Sequence, residues 1–166
     1  MAQATALRRT FMHASALFAG SLALAITYLL SPASRPFRAF VEHLLAQSTG
    51  AFLSWFDPSV LVNSTTVTIN GFAAQVIPAC TGLFTMAVFL AAVIAYPCPW
   101  GRKLSGAAIG IVGLLAINWV RIVSLLLIGG YWPGAFDVAH LLVWRTAVLI
   151  LAAFLWLSWA RKAAHG

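Results

Sequence analysis

The chain has 166 residues, of which 62% are hydrophobic and 8% charged. A soluble domain carries about 25% charged and about 45–50% apolar residues, so this chain has too little polar surface to coat a water-soluble globule. The same figures exclude a disordered chain, two cysteines exclude a disulfide scaffold, and an integral membrane protein remains, read as a single domain over residues 1–166.

The net charge of +7 does not point to nucleic acid, which is not expected as a partner. The basic residues sit in pairs between long apolar runs, the pattern of membrane topology signals, so the expected surroundings are a lipid bilayer.

In chain order, the first predicted span covers residues 11–30, after Arg8-Arg9 and before Ser31-Pro32. Its apolar run exceeds the roughly 7–15 residues of a secretory signal and reads as a retained anchor. Residues 32–79 form an outer, non-spanning segment. Within it, residues 35–56 place Phe37, Phe40, Val41, Leu44 and Leu45 at helical spacing, with Arg35, Arg38, Glu42 and His43 between them. That pattern predicts an amphipathic helix in the outer interface. Residues 60–77 are rich in β-branched side chains around Asn70-Gly71, which predicts a small β-hairpin. The second span is expected at 81–96, ending at Pro97-Cys98-Pro99. The third is at 104–128, ending at Gly129-Gly130, and the fourth at 141–160, closed by Arg161-Lys162. The predicted fold class is all-α integral membrane, with about four transmembrane helices, an extracytoplasmic amphipathic helix and a small β-hairpin.

With the N-terminus in the cytoplasm, Arg8, Arg9, Arg102, Lys103, Arg161 and Lys162 are all cytoplasmic, and no acid joins them. Arg35 and Arg38 then lie outside with Glu42, Asp57 and Asp137. The positive-inside rule therefore predicts both termini inside, in a multi-pass protein of the inner (plasma) membrane.

Polar groups inside spans mark function by default. Arg121 lies within the third span, with Asn118 and Ser124 one turn to either side, so a polar stripe is expected in its outer half. Cys80 stands at the outer start of the second span. A thiol in the first turn of a helix feels the positive end of the dipole, which favours the thiolate. His140 opens the fourth span, with Arg145 five residues deeper and on another face. Cys80, Arg121 and His140 thus come from three spans into one leaflet. A thiol, an imidazole and a fixed cation are the parts of nucleophilic catalysis on a carbonyl. Cys98 lies 18 residues beyond Cys80, about 27 Å along a helix, too far for a disulfide, and reads as structural. The histidines are not at ligand spacing and acids are few, so neither a metal nor another cofactor is expected.

Ala79-Cys80-Thr81-Gly82-Leu83 after a β-rich segment resembles the Cys-Ser-Gly-Leu motif of exosortases and archaeosortases. Asn118-Trp119-Val120-Arg121 resembles their Asn-x-x-Arg span, and Ala139-His140 their third catalytic position. The resemblance covers roughly residues 67–154, with Thr81 in place of the usual Ser, and is to a compact member. It implies a membrane-embedded cysteine protease or transpeptidase, with Cys80, Arg121 and His140 catalytic and Asn118, Thr81 and Arg145 at the substrate. The implied partner is a membrane-anchored protein with a C-terminal sorting signal: a short motif, a transmembrane helix and a basic cluster. Two other readings stand beside it: a non-enzymatic assembly component of an envelope or polysaccharide system, and a small channel or transporter.

Overall fold

The computed structural model describes residues 2–165. In chain order the elements are α1 (Ala2–Leu30), α2 (Arg35–Leu53), β1 (Leu61–Asn63), β2 (Thr66–Ile69), β3 (Phe72–Gln75), α3 (Leu83–Ala95), α4 (Trp100–Tyr131), a single turn α5 (Phe136–Val138) and α6 (Trp144–His165). A π-helical stretch, Ala139–Val143, carries α5 into α6.

Three helical stretches among the described residues are long and apolar enough to cross a membrane: Arg8–Leu30, Trp100–Tyr131 and Pro133–Ala164. The expected four spans therefore become three and a shorter helix. At 13 residues α3 is about 20 Å long, against a hydrocarbon core of about 30 Å. Both of its ends have local causes. Gly82 stands just before it at φ +75°, a left-handed conformation that only glycine adopts without strain. At the far end Tyr96 is extended, as the residue before Pro97 must be.

The expected hairpin is a three-stranded antiparallel sheet in the order β1-β2-β3. Asn70 and Gly71 turn β2 into β3 with Ile69 opposite Phe72, and both carry positive φ, as a two-residue I′ turn requires. The additional strand reaches β2 through Ser64 (φ +55°) and Thr65, a turn without glycine that the sequence does not advertise. Val67 and Ile69, wholly buried, alternate inward and meet Val41, Leu45 and Leu53 of α2 and Ile122 and Leu126 of α4. The predicted amphipathic helix is present as α2. Its second apolar face, Phe37, Phe40 and Leu44, stays exposed, as a helix at a lipid interface requires.

Helix α4 is the axis of the molecule, and glycines let its neighbours approach. A Cβ on Gly110 would lie 2.1 Å from the Phe89 ring of α3; on Gly106, 2.4 Å from the Trp159 indole of α6; on Gly129, 2.2 Å from the Phe72 ring of β3. Small residues of this kind let membrane helices pack backbone to side chain. At the opposite end from the sheet, Arg102 donates to the Ala163 carbonyl (2.6 Å) and Lys103 to that of Ile94. Each cation thereby closes the C-terminal end of a neighbouring helix, where the dipole favours positive charge.

At the sheet end, the Asp57 carboxylate accepts hydrogen bonds from the Tyr131 hydroxyl (2.6 Å), the Ser59 amide (2.8 Å) and the Asn70 side chain (3.2 Å). These bonds, that of Tyr131 foremost, hold the Asp57 carboxyl below the usual carboxylate range. The last residue of α4 is thus tied to the loop after α2 and to the β2–β3 turn.

Two stability predictions follow from this packing. Gly110→Ala forces Phe89 aside and is expected to destabilise the protein by about 1–3 kcal/mol, read as a lowered melting temperature in detergent. An unchanged Tm would show that Phe89 is free to move. Because Asp57 is depressed in the folded state, its stabilisation is present above the unfolded carboxylate pKa and is lost as pH falls through the folded value. Tyr131→Phe is therefore expected to lower Tm at neutral pH, with the deficit shrinking on acidification. A deficit constant across the whole pH range would rule out the linkage.

Candidate active site

Cys80 does not lie in the first turn of a long helix, as the sequence suggests. It closes a 3₁₀ turn, Pro78–Cys80, and is separated from α3 by Thr81 and Gly82. Its amide donates to the Ile77 carbonyl at 2.8 Å. The next amide, of Thr81, donates to Pro78, and so does the Thr81 hydroxyl at 2.7 Å. The same hydroxyl accepts the Leu83 amide at 3.4 Å, and the Thr81 residue is fully buried. Thr81 thus spends its hydroxyl on holding the chain around the thiol.

Asn118 is 2% exposed, and its side-chain amide donates to the Cys80 carbonyl at 2.7 Å. This bond joins α4 directly to the cysteine turn. A Cβ on Gly82 would sit 3.2 Å from the Asn118 side chain, so glycine at this position answers both the positive φ and the close approach. Arg121, one turn further along α4, is half-buried. Ser124 completes the polar stripe in sequence only: its hydroxyl bonds to the Arg121 carbonyl of its own helix at 2.9 Å.

His140 lies in the π-helical stretch and is half-buried. Its ring stacks on Phe136 with centroids 5.5 Å apart and planes at 30°. Phe136 in turn meets Phe72 of β3 at 4.9 Å, and Phe72 lies over Gly129 of α4. A ladder of aromatic rings therefore sets the imidazole against the sheet. Phe136 packs on His140 and Phe72 on Phe136, and sequence reasoning did not single them out, whereas Gly82 belongs to the Ala79–Leu83 motif. The signal for Phe136 was its place four residues before His140, where helical side chains meet.

Cys80, Arg121 and His140 converge. All three line a cavity of about 80 Å³ closed on the other side by Gln75, Val76 and Phe136. The same three line a second cavity of about 220 Å³, shared with Thr85, Arg145 and Leu149. They form a partition between a chamber under the sheet and a chamber between α3 and α6. Arg145 borders only the second chamber and is itself exposed. Cys98 is elsewhere, packed with the cluster of Trp159 and Phe89 at the other end of α3. Both cysteines are free thiols. Among the described residues no three of His, Cys, Asp and Glu gather as a metal-binding group.

The family model described as transmembrane exosortase matches residues 4–156, and the chain belongs to this family. No match was found among curated proteins, and none among solved structures.

The Asn118 bond carries a prediction. Asn118→Leu leaves the part-buried Cys80 carbonyl without its donor, at an expected cost of about 1–3 kcal/mol. Thermal unfolding should detect that loss. Mass spectrometry should also show a changed rate of Cys80 alkylation with Cys98 unaffected. A variant that melts and alkylates as the wild type does would show that the bond neither stabilises nor orients the turn.

Proposed function

We propose that the chain is a membrane-embedded cysteine peptidase or transpeptidase that removes C-terminal sorting tails from exported, membrane-anchored proteins. The observation that carries this reading is the shared lining of two adjoining cavities by a thiol, a guanidinium and an imidazole drawn from three elements. Family membership supports the same chemistry.

The His140 imidazole takes the Cys80 proton, and the sulfur attacks the carbonyl carbon of the scissile peptide bond. As the C–S bond forms, the carbonyl π electrons move to oxygen, and the Arg121 guanidinium stabilises that charge. The oxyanion collapses, the C–N bond breaks, and His140 returns its proton to the departing amine. A thioester remains on Cys80 and the tail is released. An amine or water then attacks the thioester, regenerates the thiol and gives a transferred or hydrolysed product. Asn118 and Thr81 hold the turn that presents the sulfur. Arg145 faces the chamber through which the tail approaches.

The basic pairs Arg8-Arg9, Arg102-Lys103 and Arg161-Lys162 support a cytoplasmic placement of the termini and of the α3–α4 turn. The sheet and the site then face outward from the inner membrane. An assembly component or a channel needs no reactive thiol, which separates those readings from this one.

The test is C-terminal peptide mapping of envelope proteins in the native cell. Cys80→Ala is expected to leave sorting tails uncut while the enzyme remains in the membrane, and Cys98→Ala to process normally. Arg121→Lys keeps the charge but loses the planar fork of donors. It is expected to insert normally and to lose about 10²–10³ in rate. Normal processing by Cys80→Ala would end the proposal, and full activity of Arg121→Lys would remove Arg121 from the oxyanion role.

A further inference from the structure

A third and larger cavity, about 540 Å³, runs between α3 and α6. It continues the chamber that holds Cys80, Arg121 and His140, for Thr85 and Leu149 line both. From there it descends along Val88 and Ala92 of α3 and Ala152 and Ala153 of α6. On α3 the distance from Thr85 to Ala92 is about 10 Å, two turns of helix. The slot lies within the apolar part of the molecule and is lined almost wholly by apolar side chains, with alanine on both walls. Helix α3 packs chiefly against α1 and then α4, and α6 against α4, with less contact between α3 and α6 themselves, which leaves the slot open between them.

We infer that this slot receives the apolar transmembrane helix of the substrate tail, side by side with α3 and α6, and so delivers the adjoining peptide bond to Cys80. The inference rests on the peptidase reading above. Two observations favour a helix over a lipid chain. Alanines on both walls permit the close approach of a helix backbone. The slot also ends at the chamber bordered by Arg145 and His140, where an apolar span would give way to polar chain.

The experiment uses the full-length protein in lipid nanodiscs and three probes. These are iodoacetamide, a sixteen-carbon alkyl iodoacetamide, and a single-span Leu/Ala helix with an iodoacetyl group on a short linker at its outer end. The helix probe is expected to alkylate Cys80 about tenfold faster than the alkyl probe. Ala153→Trp, a change at an exposed groove position, should slow the helix probe about tenfold while leaving the rate with plain iodoacetamide unchanged. Equal rates for the two membrane probes, or a helix probe indifferent to Ala153→Trp, would overturn the inference in favour of a lipid-filled slot.

A second measurement does not involve Cys80. In the Cys80→Ala, Cys98→Ala background, Leu149→Cys should form a disulfide with a cysteine placed in the Leu/Ala helix, and Ala153→Trp should suppress it. Absence of that cross-link overturns the groove even where Cys80 is reactive. A cross-link alongside a Cys80 inert to plain iodoacetamide sustains the groove and overturns the peptidase reading instead.

Discussion

Helix α3 falls about 10 Å short of a hydrocarbon core, and non-helical backbone therefore lies beside apolar helices. Such backbone persists at membrane depth only where protein satisfies each of its polar groups. In the turn from Ile77 to Leu83 much of that demand is met within the chain. The Cys80 amide finds Ile77, the Thr81 amide and hydroxyl find Pro78, and the Leu83 amide finds the Thr81 hydroxyl. The Met86 amide reaches back to the Gly82 carbonyl. The Cys80 carbonyl is answered from another helix, by Asn118. That single interhelical bond fixes the rotation of α4 relative to the cysteine turn, and with it the placement of Arg121 one turn on. A thiol presented by an irregular turn stands clear of helix backbone on both sides, which is why it can border two chambers at once.

The sheet belongs to the same construction. Helix α4, at 32 residues, is about 48 Å long and outreaches a hydrocarbon core. Its surplus end carries Gly129 and Gly130, against which Phe72 and Ile69 of the sheet are pressed. Phe72 passes the contact to Phe136, and Phe136 to His140. Asp57 gathers Tyr131, Ser59 and Asn70, so the loops on that end are tied to one another. The sheet is thus a brace between the α4 terminus and the entrance to the last helix. The π-helical stretch at Ala139–Val143 widens the backbone where the histidine sits, a departure from α geometry that recurs at functional sites.

Hydrophobic windows sufficed to find the three helices long enough to cross a membrane, because the requirement of about 20 apolar residues leaves few alternatives. The Asn70-Gly71 turn was equally legible, since few other dipeptides hold positive φ twice. The start of the second span was not. Thr81 and Leu83 belong to one apolar run, and only Gly82 at φ +75° separates them, so the helix was expected to begin two residues early and Cys80 to sit at its dipole. Strand β1 was hidden behind a Ser64-Thr65 turn. The stripe Asn118, Arg121, Ser124 could be read as shared spacing. Which member looked across to another helix could not, for Ser124 bonds within its own helix and Asn118 does not. The three site residues were proposed from topology and resemblance together. Their common cavities arise from the packing of the sheet, α3, α4 and α6 together, a tertiary property with no local signature.

The two chambers on either side of Cys80, Arg121 and His140 differ in a way that bears on the order of events. The smaller is bounded by β3 and Phe136, whereas the larger opens into the slot between α3 and α6. On the proposed reading, a substrate helix in that slot would set the amine side of the scissile bond toward α6 and the acyl side toward the sheet. His140 borders both chambers, so one imidazole would be in reach of the departing amine and of the acyl-sulfur bond alike. A tail still in the slot would fill the approach through the larger chamber, so that the resolving nucleophile would arrive from the sheet side or after the tail had moved away along the bilayer.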